Sequence, residues 1–232
     1  MALRSPLLQV IRVLTLLNQF YSLRDLEKIL GIPFQSLWRY LNLVSVPRRS
    51  TMDRILRRVE NLRLLDRLLE EAMKGVEDLS LLSCDPRFLK LFSMVVTSDL
   101  RRDAVDVVVP LSLEAVPLAT ALSMEIGSPM CYLYSHEARG SICEHYIVAH
   151  YVSNTRELRF IAIPKRCLRP RSRVALVDSV VDDLAKVSTV VELLRRRGCV
   201  PEILIAIASE SELQSLARRY GLRIRILRPL HG

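Results

Sequence analysis

Arg173-Val174-Ala175-Leu176-Val177-Asp178-Ser179-Val180-Val181-Asp182-Asp183-Leu184-Ala185-Lys186-Val187-Ser188-Thr189, continuing through Val190 to Gly198, decides how the second half of the chain is read. A basic residue leads an unbroken apolar run of strand length that ends on Asp178. An amphipathic segment with a glycine just past its end follows. The pattern predicts strand, loop and helix, and puts Asp178 outside the carboxyl end of a strand, where ligands sit in open parallel sheets.

Working outward, the segments around this unit alternate in the same way. Helices are expected over residues 88–100, 113–126 and 211–220. Strands are expected over residues 104–109, 129–134, 202–208 and 222–227. Two alternating strands, about 144–152 and 157–163, flank Ser153-Asn154-Thr155-Arg156 and read as a hairpin. Near-continuous Val/Ile/Leu strands separated by helices imply a parallel sheet with right-handed crossovers, hence an α/β domain over residues 84–232.

The stretch from Arg173 to Asp178 and the helix from Val187 to Gly198 resemble the signature of type I phosphoribosyltransferases. The resemblance covers about residues 84–230, with the hairpin in the place of that family's mobile loop. It implies a strand ending in paired acidic residues, a Thr/Gly-rich loop cradling the 5-phosphate of phosphoribosyl pyrophosphate, and Mg²⁺ held through substrate oxygens. Onto this sequence it maps a ligand site at Asp178, Ser179, Asp182, Asp183, Lys186 and Ser188. The chain departs from the pattern where Ser179 replaces the second acid and Asp182-Asp183-Leu184-Ala185-Lys186 replaces the Thr/Gly loop. The loop for pyrophosphate corresponds to Val109 through Pro117, which has no glycine and carries Glu114. A phosphate nest wants small residues and no competing negative charge, so the expectation is a domain without catalytic residues and not an enzyme, with Mg²⁺ as cofactor only if the transferase site is active. The acids at 182 and 183 read as stabilising the next helix's N-terminus, and Lys186 either contacts phosphate or lies on a solvated helix face.

The first part of the chain has a different character. Residues 1–60 hold ten Lys/Arg against four Asp/Glu, which is +6 of the total +9. A concentrated basic surface favours a polyanionic partner. Ser5-Pro6 opens a helix with a Leu/Val/Ile stripe, and Ser22 with Asp25 caps a short helix closed by Gly31. Another helix runs from Pro33 to about Leu43.

Tyr21 through Leu41 resembles the helix-turn-helix of DNA-binding regulators. Leu26, Leu30, Ile32, Leu37 and Leu41 would lock the two helices, leaving Gln35, Ser36, Arg39 and Trp38 outward for DNA. Trp38 suits equally a DNA contact or packing against the first helix or a partner subunit. After Val46-Pro47, Ser50 is expected to cap a long helix from Thr51 to about Lys74. Arg48, Arg49, Arg54, Arg57 and Arg58 suit backbone phosphates or a solvated basic face. Residues 1–75 therefore read as a helix-turn-helix DNA-binding domain with a connector helix, and residues from Gly75 to about Asp85 as the boundary.

The chain has 232 residues and is 50% hydrophobic, enough for a sizeable core in two modest domains. Five scattered cysteines, Cys84, Cys131, Cys143, Cys167 and Cys199, form no C-x-x-C pair and read as thiols of a reducing compartment. Cys143, His136, His145 and His150 do not make a compact metal-ligand set, so no metal site is expected. Arg12 and Gln9 interrupt the first apolar run, and no segment spans a membrane by composition. The combined expectation is a cytoplasmic, homodimeric transcription regulator that binds double-stranded DNA and whose second domain takes a nucleotide or nucleobase effector. Regulators joining such domains exist, including the purine repressor of some bacteria and archaeal regulators similar to orotate phosphoribosyltransferase. The alternative is an active nucleobase or orotate phosphoribosyltransferase with an accessory helical domain.

Overall fold

The computed structural model describes residues 5–100, 105–134, 144–152, 156–209 and 212–229. These divide into two compact units, Met1–Lys74 and Gly75–Gly232.

In the first unit α1 (Pro6–Leu17) buries Val10, Val13, Leu14, Leu16 and Leu17. The apolar spacing of three and four produces that single buried stripe. Next, α2 (Leu23–Leu30) is capped by Ser22, whose hydroxyl accepts from the Asp25 N–H at 3.2 Å and donates to the Asp25 carboxylate at 2.5 Å. Gly31 ends α2 with φ +65°, a left-handed conformation that a Cβ penalises. The chain then turns into α3 (Phe34–Leu41). Leu26, Leu30, Ile32 and Leu37 are buried between these helices, and Leu41 is half-buried.

The long helix expected from Thr51 to Lys74 is two helices, α4 (Arg49–Asn61) and α5 (Leu64–Met73). Arg63 breaks it with φ +48°. That break lets Leu64, Leu68, Leu69 and Met73 bury on a different line from Ile55 and Val59. The cap of α4 is also earlier than expected: Arg48 is the cap residue, and Ser50 is already inside the helix.

In the second unit, Asp85 caps α6 (Pro86–Asp99) by accepting from the Arg87 N–H. A parallel sheet of order β1-β4-β5-β6 follows among the described residues, formed by β1 (Val107–Pro110), β4 (Arg173–Val181), β5 (Val200–Ser209) and β6 (Arg223–Pro229). It is joined by α7 (Val116–Ile126), α8 (Leu184–Arg196) and α9 (Leu213–Arg219). β1 and β5 are buried along almost their whole length, and β4 from Val174 to Ser179. Burial on both faces explains why these strands read as runs and not as alternations.

Hairpin strands β2 (His145–Val152) and β3 (Glu157–Pro164) form a separate antiparallel sheet, and their connecting turn lies largely outside the described residues. Tyr146, Val148, Ile161 and Ile163 belong to the same core as the inner face of α8. Residues 129–134, expected to be a strand, make only isolated bridges, Val108 with Met130 and Tyr134 with Ala162. The segment serves as a strap from the β1 edge to the hairpin. It also brings Cys131 to Cys167 in a disulfide, with Cα atoms 5.6 Å apart and a sequence separation of 36. The reading of all five cysteines as scattered thiols is corrected accordingly: Cys84 and Cys199 are free, and Cys143 lies outside the described residues.

Candidate functional site

The carboxyl end of β1 lies beside the body of β4, Pro110 opposite Val177, and β4 runs on to Val181, so Asp178 is inside the strand and not beyond its end as expected. Ser112, just past β1, therefore reaches Asp178 and donates to its Oδ1 at 2.5 Å. The same Oδ1 accepts from the Ser179 N–H at 2.9 Å. Both Asp178 and Ser179 are buried. Burial pushes the Asp178 carboxyl up from 3.8 to about 6, opposed by the Ser112 hydrogen bond, the nearby Lys186 charge and the Ser179 N–H, and reinforced by the Asp182 charge. A buried carboxyl poised near neutrality beside the carboxyl end of a parallel strand, β1, marks a candidate site.

Asp183 shapes the other wall. It is the cap residue of α8, and its Oδ1 accepts from the Lys186 N–H at 2.9 Å. Its Oδ2 meets Nε2 of the buried His150 of β2 at 3.2 Å. His150 Nδ1 is buried with no partner among the described residues. The turn from β4 into α8 thus presents backbone N–H groups, as a helix start does, with a tethered carboxylate already bound to one of them. Asp182 is exposed beside it.

Of the expected ligand residues, Asp178, Ser179, Asp182, Asp183 and Lys186 gather around this turn. Ser188 sits one turn into α8, its hydroxyl donating to the Ala185 carbonyl at 2.9 Å, and it lines a shallow cleft between α8 and α9 with Ser215 and Arg219. Sequence reasoning missed Ser112 and His150 as members of the site. Ser112 carried one signal, its place in the loop directly after a buried strand. His150 carried none, because its partner is 33 residues away in sequence.

Mg²⁺ takes one or two carboxylates together with substrate oxygens and retains waters. Asp182, exposed beside the turn that follows the buried Asp178, is the carboxylate open to such an ion. Among the described residues no three His, Cys, Asp or Glu side chains converge on a metal position. His145 is in the hairpin, and Cys143 and His136 lie outside the described residues.

The helical unit carries a second set. On α3, Gln35, Trp38 and Arg39 are exposed and Ser36 is half-buried; Arg48 and Arg49, at the start of α4, are exposed. Arg54, Arg57 and Arg58 line an open cleft of about 480 Å³ along α4 with Ser50, Thr51 and Asn61. Arg58 is anchored there, its Nε donating to the Ile29 carbonyl at 3.1 Å.

No family model matches the chain. The orotate phosphoribosyltransferase of Methanosarcina acetivorans is 24% identical over 135 residues, which is 58% of this chain and 63% of that protein. The match thus spans under two thirds of the relative's length. Adenine phosphoribosyltransferase from Rhodothermus marinus superposes with a TM-score of 0.59 at 14% identity, covering 72% of this chain and 99% of that one. The enzyme from Giardia lamblia, crystallised with 9-deazaadenine, gives 0.57 at 19% identity over 68% and 90%. The α/β unit has the type I phosphoribosyltransferase fold. These comparisons correct the expectation of a non-enzyme: the proteins sharing this fold are named as phosphoribosyltransferases, and nothing in them points to an inactive domain. Missing glycines do not by themselves remove a phosphate cradle. Its donors are backbone N–H groups, which every residue except proline supplies. Glycine eases close approach without creating the donors.

Among the described residues no helix is long and apolar enough to cross a membrane.

Proposed function

We propose that the chain is a phosphoribosyltransferase that moves a ribose 5-phosphate unit from phosphoribosyl pyrophosphate to a nucleobase or orotate, with the helical unit as an accessory. The observation that carries this reading is the Ser112–Asp178 contact, which joins the end of β1 to β4 where a sugar phosphate would sit in this fold. Asp178 and Ser112 face the ribose hydroxyls, and the N–H groups at the start of α8 face the 5-phosphate. Asp182 is available to Mg²⁺, which when bound offsets the charge of the departing pyrophosphate. Its test is to incubate the full chain with phosphoribosyl pyrophosphate, Mg²⁺ and, separately, adenine, guanine, hypoxanthine, uracil and orotate, and to measure pyrophosphate. Release with at least one base, lost in Asp178→Ala, supports the reading. No release with any base overturns it.

A specific observation favours a second activity, in the helical unit: a left-handed Gly31 between two helices locked by buried Leu26, Leu30, Ile32 and Leu37, with Gln35, Trp38 and Arg39 exposed on the second helix. That arrangement suits a helix-turn-helix that enters the major groove of duplex DNA, with Arg48 and Arg49 on phosphates. Two copies related by a two-fold axis would present two α3 helices to successive grooves. The α/β unit's nucleobase or nucleotide would then act as effector for transcription. Binding to duplex DNA that weakens steeply with salt supports this reading; no binding at low salt removes it.

A further inference from the structure

The exposed side of α3 carries, besides the polar Gln35 and Arg39, two aromatic rings that base-edge reading does not use. Phe34 is 41% and Trp38 47% exposed, and they stand four residues apart on the same helix face. Leu43 at 71%, Val44 at 58% and Val46 at 64% exposed continue the apolar surface into the loop before α4. Arginines are next to it in the sequence: Arg39 follows Trp38 on α3, and Arg48 and Arg49 follow Val46 and Pro47 into α4, all exposed. The first 60 residues carry ten basic against four acidic side chains.

Two kinds of group are combined here. Phenyl and indole rings cannot match the donor and acceptor pattern of a base-pair edge, which asks for Arg, Asn, Gln or a carboxylate. They do offer faces on which a base can stack, and arginines beside them neutralise phosphates. In an intact duplex the faces of the bases are sealed within the stack. The partner complementary to this surface therefore has at least one base out of the stack.

We propose that α3 and the following loop bind DNA with unpaired bases, a single strand or a locally opened duplex, through stacking on Trp38 and Phe34. This rests on the reading of the helical unit as a DNA-binding element and specifies the form of DNA it prefers.

The chain has a single tryptophan, so its emission reports on this surface alone. The full chain is titrated at low salt with one sequence in three forms: single strand, fully paired duplex, and duplex with a short mismatched bubble. Single strand and bubble quench Trp38 emission and bind about tenfold or more tightly than the paired duplex, as stacking of one base requires. Trp38→Ala abolishes the preference by weakening single strand and bubble about tenfold or more, and Trp38→Phe restores part of it. Arg39→Ala weakens all three forms alike. Equal affinity for the three forms with unmoved emission overturns the proposal and leaves duplex binding intact. So does emission that shifts on diluting the protein alone, because a second copy is then what covers the rings. Absence of binding to every form defeats the DNA-binding reading itself, and this proposal with it.

Discussion

Ser112, in the loop after β1, donates its hydroxyl hydrogen to Asp178, toward the carboxyl end of β4, across 2.5 Å, though 66 residues separate them in the chain. The bond ties the end of β1 to the buried body of β4 at the candidate site. It also holds a carboxyl in a place that solvation disfavours, and that cost can be measured.

Asp178 keeps its proton more tightly in the folded protein than in the unfolded chain, with its pKa lifted from 3.8 to about 6. Between those values the native state binds more protons, so this group's contribution to stability falls as pH rises through the window and is flat above it. Asp178→Asn removes the ionisation. Urea unfolding at pH 7.5 should show the variant more stable than wild type by about 1–3 kcal/mol, with the gap closing near pH 4. The same substitution should abolish any pyrophosphate release, so stability and activity move in opposite directions.

Asp183 links the start of α8 to His150 of the hairpin. Asp183→Ala deletes a helix cap and takes away the carboxylate that meets the buried imidazole. Chemical denaturation should register a loss of about 2–4 kcal/mol, the sum of a cap and an unsatisfied buried group. Asp183→Asn, which keeps an acceptor for the Lys186 N–H, should lose less.

Gly31 has φ +65° and open space where a Cβ would stand. Gly31→Ala therefore meets no clash, only the backbone penalty of the left-handed region, about 1–2 kcal/mol. Thermal melting followed by Trp38 emission, which reports on the helical unit, should shift downward accordingly.

The Cys131–Cys167 bridge closes a loop of 36 residues that contains the hairpin. Cys167→Ser should destabilise the α/β unit by about 2–4 kcal/mol in non-reducing buffer, and mass spectrometry after thiol alkylation should count two fewer free thiols in wild type than after reduction.

How much of this was legible in the chain depended on how local each cause is. The β4–α8 unit could be read because Val174 to Val177 are buried on both faces and so uniformly apolar. The α2–α3 turn could be read because Ser22, Asp25 and Gly31 act on their immediate neighbours. The break at Arg63 could not, since arginine gives no warning of a left-handed backbone. Residues 129–134 were apolar enough for a strand, yet their hydrogen bonds are shared between β1 and β3, a choice made by distant partners. The site was legible by halves: Asp178 from its place late in an apolar run, though the strand continues past it to Val181, Ser112 and His150 only once β1 and the hairpin were seen beside it. The expectation of an inactive domain rested on side-chain type between Asp182 and Lys186, which says little about the backbone donors that a phosphate would use.

Asp183 has one more consequence. A carboxylate covalently attached to the very helix start that would receive a phosphate is a resident competitor at high effective concentration. An incoming sugar phosphate gains only the difference between its own charge-assisted bonds and those it evicts. Apparent affinity falls by the fraction of time the resident is in place. Mono-anions would be turned away, while ligands anchored elsewhere at the same time, by ribose hydroxyls on Asp178 or by a bound cation, would be admitted. The loop that looks poorest for holding phosphate would, in that sense, select the ligand with the most points of attachment.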